Sequence, residues 1–205
     1  MGSKMVVDYV SDLFSLDVNA LVMDRVGFWA IDWINNRQEK MLDSIGFNQD
    51  PGYTEYGDLA LDYVLRKAIA SDCYILKGNF SDNFRFDGKL GPANHLLVYS
   101  NGHWVTPQNL MNFDFIIIVI EKSRISISDL NSFLRHWRAG GSNRLKILQL
   151  GFESDTNLEN FGGELGMEVL EGGYYSIQRD DGVTAVIKFG IRSFIMSVVP
   201  QEEII

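Results

Sequence analysis

Few residues in this chain have types and spacings that could do covalent or metal chemistry. The soft and imidazole ligands are one cysteine, Cys73, and three histidines, His95, His103 and His136. Three imidazoles could hold zinc. Yet His95 opens an expected strand, His103 falls in a turn, His136 lies inside a helix, and no H-E-x-x-H spacing joins any two. Structural or surface histidines are the plainer reading. Cys73 beside a histidine could make a thiol hydrolase. Its surroundings, Ser71-Asp72-Cys73-Tyr74, match no nucleophile signature and begin an apolar strand, where cysteine usually serves as a small hydrophobe. The run Gly162-Gly163-Glu164-Leu165-Gly166 lacks the order and the strand–helix context of a phosphate cradle. Asp180-Asp181-Gly182 lacks the glutamate a calcium loop needs six residues after its glycine, since Lys188 stands there. No catalytic residue, no metal ligand and no cofactor are therefore expected, and an enzyme is the third of three readings.

Charge narrows the partners. The net charge of −9 at pH 7 over 205 residues gives a field that repels phosphate backbones, which argues against nucleic acid. The longest apolar run, Phe115 to Ile120, is far short of the roughly 20 residues a membrane helix needs. No apolar signal-peptide core stands near Met1, and the single cysteine excludes an internal disulfide, so an intracellular, cytoplasmic or nuclear place is expected. The charge is uneven. Residues 121–150 carry Lys122, Arg124, Arg135, Arg138, Arg144 and Lys146 against Glu121 and Asp129, a net +4, leaving −13 for the remainder. A solvated helix face is the plainer reading. The sharper one is a docking patch on Arg124, Arg135, Arg138 and Arg144 for an acidic or phosphorylated partner.

The elements that must position these residues alternate along the chain. Leu21-Val22-Met23 reads as a short strand, and Ile31, Ile34, Met41, Leu42 and Ile45 as one helix ended by Gly46. Asp58 offers an N-cap to a helix with Leu61, Val64, Leu65, Ala68 and Ile69 on one face. Strands are expected at Cys73–Leu76, Leu96–Tyr99, Phe115–Ile120 and Leu145–Leu150, the third buried on both faces. Between them lie a loop over 77–94 with buried Phe80, Phe84 and Phe86, a short helix opened by Thr106-Pro107, and a helix capped by Ser126 or Ser128 and stopped by Gly140-Gly141. The tail predicts an antiparallel meander over 174–199, with a turn at Asp180-Asp181-Gly182. The expected fold is one α/β domain over 1–205, an irregular leucine-rich-repeat-like alternation of strands and helices closed by that meander.

The run Leu130-Asn131-Ser132-Phe133-Leu134-Arg135-His136-Trp137, followed by Gly140-Gly141-Ser142-Asn143-Arg144-Leu145, resembles the type 2 F-box-associated domain, a family expanded in nematodes. Its members carry an L-N-x-F-L-x-x-W helix, then G-x-S/N-x-R-L leading into a strand. Further pieces are similar: Asp8-Tyr9 with Asp12-Leu13-Phe14; Ile31-Asp32-Trp33-Ile34 with Arg37-Gln38-Glu39; Gly102-His103-Trp104-Val105-Thr106; and Tyr175-x-Ile177-x-Arg179-x-Asp181-Gly182. The resemblance implies a protein-interaction domain that presents substrates to a cullin-RING ubiquitin ligase, whose linker subunit is docked by an N-terminal F-box. Residues 1–24 hold no proline and no room for an F-box, so that docking is expected only if one lies upstream. A stand-alone module that sequesters or shields partners is the alternative. The motif residues Trp104, Leu130, Asn131, Phe133, Leu134, Trp137, Gly140 and Leu145 are expected to be structural.

Overall fold

The computed structural model describes residues 16–49, 56–155, 161–162 and 165–199. Asp8-Tyr9 and Asp12-Leu13-Phe14 lie outside the described residues. One sheet of ten strands organises them: β1 (Ala20–Met23), β2 (Leu42–Asn48), β3 (Ala70–Lys77), β4 (Leu90–Tyr99), β5 (Phe113–Ser123), β6 (Ile147–Phe152), β7 (Glu168–Leu170), β8 (Tyr174–Gln178), β9 (Thr184–Gly190) and β10 (Ser193–Val199). The helices are α1 (Trp29–Arg37), α2 (Gly57–Lys67), α3 (Pro107–Asn112) and α4 (Ile127–Arg138).

The spatial order is β1-β2-β3-β4-β5-β6-β10-β9-β8-β7. Strands β1 to β6 run parallel in sequence order, each joined to the next by a crossover. The last four strands are antiparallel, and β10 zips onto β6. The expected mixed α/β class and C-terminal meander both stand, and the meander begins earlier, at β7.

Helices cover one face of the sheet. Ile31 and Ile34 of α1, Leu61, Val64 and Leu65 of α2, Leu110 of α3 and Leu130, Phe133, Leu134 and Trp137 of α4 join a single core with Ile45, Phe47, Tyr74, Leu76, Leu96, Val98, Ile118, Ile120, Leu148 and Leu150 of the strands. The β3–β4 crossover is an aromatic loop. There Phe80, Phe84 and Phe86 are buried, and Phe84 and Phe86 meet Trp104 edge-on at 5.7 and 6.3 Å. Two short helices start on reciprocal capping boxes, Thr106 with Asn109 and Ser126 with Asp129. Ser126, not Ser128, is the cap.

Four local expectations are corrected. The helix read over 31–45 ends at Arg37, and Leu42 to Asn48 form β2. Gln38 turns the chain there, its amide group bonding both the N–H and the C=O of Val18 at 2.8 and 2.9 Å and the Lys40 carbonyl at 2.8 Å. Leu42, Ile45 and Phe47 then bury against the helices as strand residues, a pattern whose apolar spacing passes for helical at Leu42 and Ile45. Asp58 sits inside the first turn of α2 and accepts from Ser81 N–H at 2.9 Å, so it anchors the aromatic loop and does not cap the helix. Ile117 and Val119 are half-buried, so β5 is buried on one face only, because all the helices pack on the other. His95 stands midway along β4, which begins at Leu90.

Candidate protein-docking surface

The uncovered face of the sheet is built by register. One row crosses it through Val22, Gly46, Ile75, Leu97, Val119, Gln149 and Ile195. The neighbouring row runs Ser44, Cys73, His95, Ile117, Ile147 and Ser197. These side chains alternate with the buried ones along each strand and point away from the helices. Ile75 is exposed, and Leu97, Ile117, Val119, Ile147 and Ile195 are half-buried. Adjacent strands lie about 4.8 Å apart, so the five on β3 to β6, Ile75, Leu97, Ile117, Val119 and Ile147, form a continuous apolar strip. Polar groups fringe it. His95 Nδ1 lies 3.3 Å from Asp72, whose carboxylate also accepts from Asn94 at 2.9 Å. Partial burial, and then the neighbouring Asp72 charge, push the Cys73 thiol up and away from thiolate.

The motif residues hold the scaffold behind this face. Gly102 donates to Glu121 O at 2.8 Å, and a Cβ there would stand 2.2 Å from Ile120 Cγ2 and 2.5 Å from Glu121 O. Only glycine lets the turn approach β5 so closely. His103 joins Asn101 Oδ1 and Ser81 O, tying that turn to the aromatic loop. Trp104 is fully buried. In α4, Leu130, Phe133, Leu134 and Trp137 are all fully buried, and Asn131 accepts from Gly162 N–H at 3.2 Å. Gly140 takes φ +92°, the left-handed conformation that ends a helix. A Cβ on Gly141 would meet the His136 ring at 2.1 Å. Leu145 is buried just before β6.

Residues 76–150 match the F-box associated family. The F-box associated match covers a little over a third of the chain, from the end of β3 through β4, α3, β5 and α4 into β6. No curated protein and no solved structure matches the chain. The aromatic loop, the Gly102–Thr106 turn and the α4 signature all fall inside the matched residues 76–150, together with Leu97, Ile117, Val119 and Ile147 of the open face.

The arginines singled out by sequence are dispersed within the matched residues 76–150. Arg124 pairs with Asp82 at 2.7 Å and with Glu153, whose carboxyl its hydrogen bond holds below the usual range. Arg138 Nη1 donates to Leu165 O at 2.9 Å, with Asp180 3.7 Å from its Nε. Arg144 spans Asp114 at 3.0 Å and Ala93 O at 3.5 Å. Arg135 is exposed in the last turn of α4. Arg124 precedes α4 and Arg138 closes it, and the helix between them is about 18 Å long at 1.5 Å per residue. Sequence reasoning missed the open-face residues. They sit in runs that are apolar at consecutive positions, Tyr74-Ile75-Leu76, Leu96-Leu97-Val98 and Phe115 to Ile120, so no alternation marks which side faces out. Among the described residues, no group of three or more His, Cys, Asp or Glu could hold a metal ion, and no helix is long and apolar enough to cross a membrane.

Proposed function

We propose that this chain is a non-catalytic, intracellular protein-interaction module that captures its partner on the open face of the sheet. In this reading it is the substrate-recognition region of an F-box adaptor of a cullin-RING ubiquitin ligase, of the type expanded in nematodes. In the same reading its parallel half is leucine-rich-repeat-like, and support comes from strands that follow one another in sequence order with their crossovers on one face. The observation that carries the proposal is the apolar strip Ile75, Leu97, Ile117, Val119 and Ile147, which the described residues leave exposed or half-buried across four neighbouring strands. Contiguous exposed apolar area rimmed by polar groups marks protein interaction sites. The F-box associated match over residues 76–150 supports a protein partner.

Affinity purification of two variants separates the candidate surfaces. Leu97→Lys with Val119→Lys is expected to lose the bound partners while keeping the native circular dichroism spectrum. Arg135→Glu with Arg138→Glu and Arg144→Glu is expected to keep them. The opposite pattern would assign docking to the basic residues around α4. Co-purification of the ligase linker subunit with the full-length protein tests the adaptor role. Its absence, with partners retained, favours a stand-alone module that shields them.

A further inference from the structure

The edge of the sheet at β1 carries a second, separate feature. Beyond β1 no described strand pairs. Asn19 O faces β2 and accepts Asp43 N–H at 2.6 Å. Backbone groups alternate sides along a strand, so the N–H and C=O of Ala20 and Val22 point outward from the sheet. Val22 is 78% exposed. Beside this edge runs a groove of about 670 Å³ between β1 and the first turns of α1, with Leu21, Trp29, Ala30 and Trp33 among its walls. Trp29 is exposed and Trp33 half-buried, four residues apart on one helix face. The groove lining holds one charged side chain, Asp24, at the end of β1. Its Oδ1 is fixed by the N–H groups of Val26 and Gly27 at 2.9 and 3.0 Å.

We propose that this edge and groove bind an extended peptide segment of a protein partner by strand addition to β1, its alternate apolar side chains entering the groove and a lysine or arginine meeting Asp24. The outward groups, which pair with no described strand, supply main-chain hydrogen bonds, and the groove supplies side-chain selection, the division of labour in strand-addition recognition. The exposed Trp29 ring suits a binding anchor. Charge decides the occupant. A second copy paired edge to edge would bring two chains of −9 together, whereas a basic-ended segment neutralises the one charge in the groove lining.

The test is selection of a displayed library of random dodecapeptides against the full chain, followed by binding measurements on the enriched peptide. Expected is a consensus of alternating apolar residues with a fixed basic position. Val22→Pro removes an outward N–H that β2 does not use, and is expected to weaken binding about tenfold or more while preserving the fold. Asp24→Lys is expected to weaken the basic peptide similarly and to accept the same peptide with glutamate at the basic position. No enrichment, a consensus with helical spacing, or affinity unchanged in both variants would overturn the proposal. Two other outcomes would also overturn it by naming a different occupant. One is a dimer in sedimentation that Val22→Pro dissociates. The other is a carbodiimide cross-link between Asp24 and Lys4 within one chain.

Discussion

The two halves of the sheet share one hydrogen-bonded ladder and differ in how they obtain their cover. In β1 to β6 every connection is a crossover, so each step brings its own helix or aromatic loop to the buried face. In β7 to β10 the connections are tight, and such turns carry no cover. That half borrows its cover from Phe161, which packs on Phe189 at 4.4 Å and Tyr175 at 5.6 Å, and from buried Leu165. It is tied back to the first half at the end of α4. There Asp180 N–H donates to Arg138 O at 2.9 Å, and Arg179 lies over the Trp137 ring at 5.5 Å. A parallel half is self-covering, while an antiparallel one depends on its neighbours.

Substitutions can break that contrast in graded ways. Trp137→Ala empties a site that serves both halves and is expected to cost about 3–5 kcal/mol in denaturant unfolding. Hydrogen exchange should rise in β8 and β9 as well as in α4; protection lost in α4 alone would show that the halves are not joined there. Phe189→Ala, at a half-buried position, is expected to cost about 2 kcal/mol, with exchange increased in β8 to β10 and β2 to β4 unchanged. Gly102→Ala forces the turn off β5 and is expected to cost about 1–3 kcal/mol, localised to the parallel half. Ser126→Ala removes one helix cap for about 1 kcal/mol.

The smallest expected effect is electrostatic. Arg124 holds Glu153 below its usual carboxyl range. The unfolded carboxyl therefore takes up its proton at higher pH than the folded one. The pair's contribution is present above the unfolded value and is lost as pH falls through the folded one. Both side chains are about half exposed, so Glu153→Gln should only slightly flatten the acid limb of the stability profile.

Much of this architecture is readable in the residues. The helix opened by Thr106-Pro107, the Gly140 stop, the buried Phe80, Phe84 and Phe86 and the Asp180–Gly182 turn each follow from local chemistry. The failures share a cause. Leu42 and Ile45 are spaced for a helix as well as for a bulged strand, and only the tether of Gln38 to Val18 ends α1 before them. Asp58 looks like a cap because sequence cannot show Ser81 across the fold. The candidate face is less legible still. A continuous apolar strand such as β5 does not say which of its sides the helices take, and that choice alone decides whether Val119 is core or surface. The arginines are conspicuous in sequence because charge counts ignore partners such as Asp82, Asp114 and Asp180.

The position of β10 between β6 and β9 has a consequence for synthesis. Strands β1 to β6 can pair in the order the ribosome releases them, each docking on the one before. The outer edge of β6 then waits until Ser193 to Val199 emerge, because its partner is the last strand of the sheet and not the next. Until that moment a nascent chain carries an open, apolar strand edge of the kind that recruits other chains. The interval between residues 152 and 193 is thus when this protein most needs a chaperone, and slowing translation there should raise its tendency to aggregate.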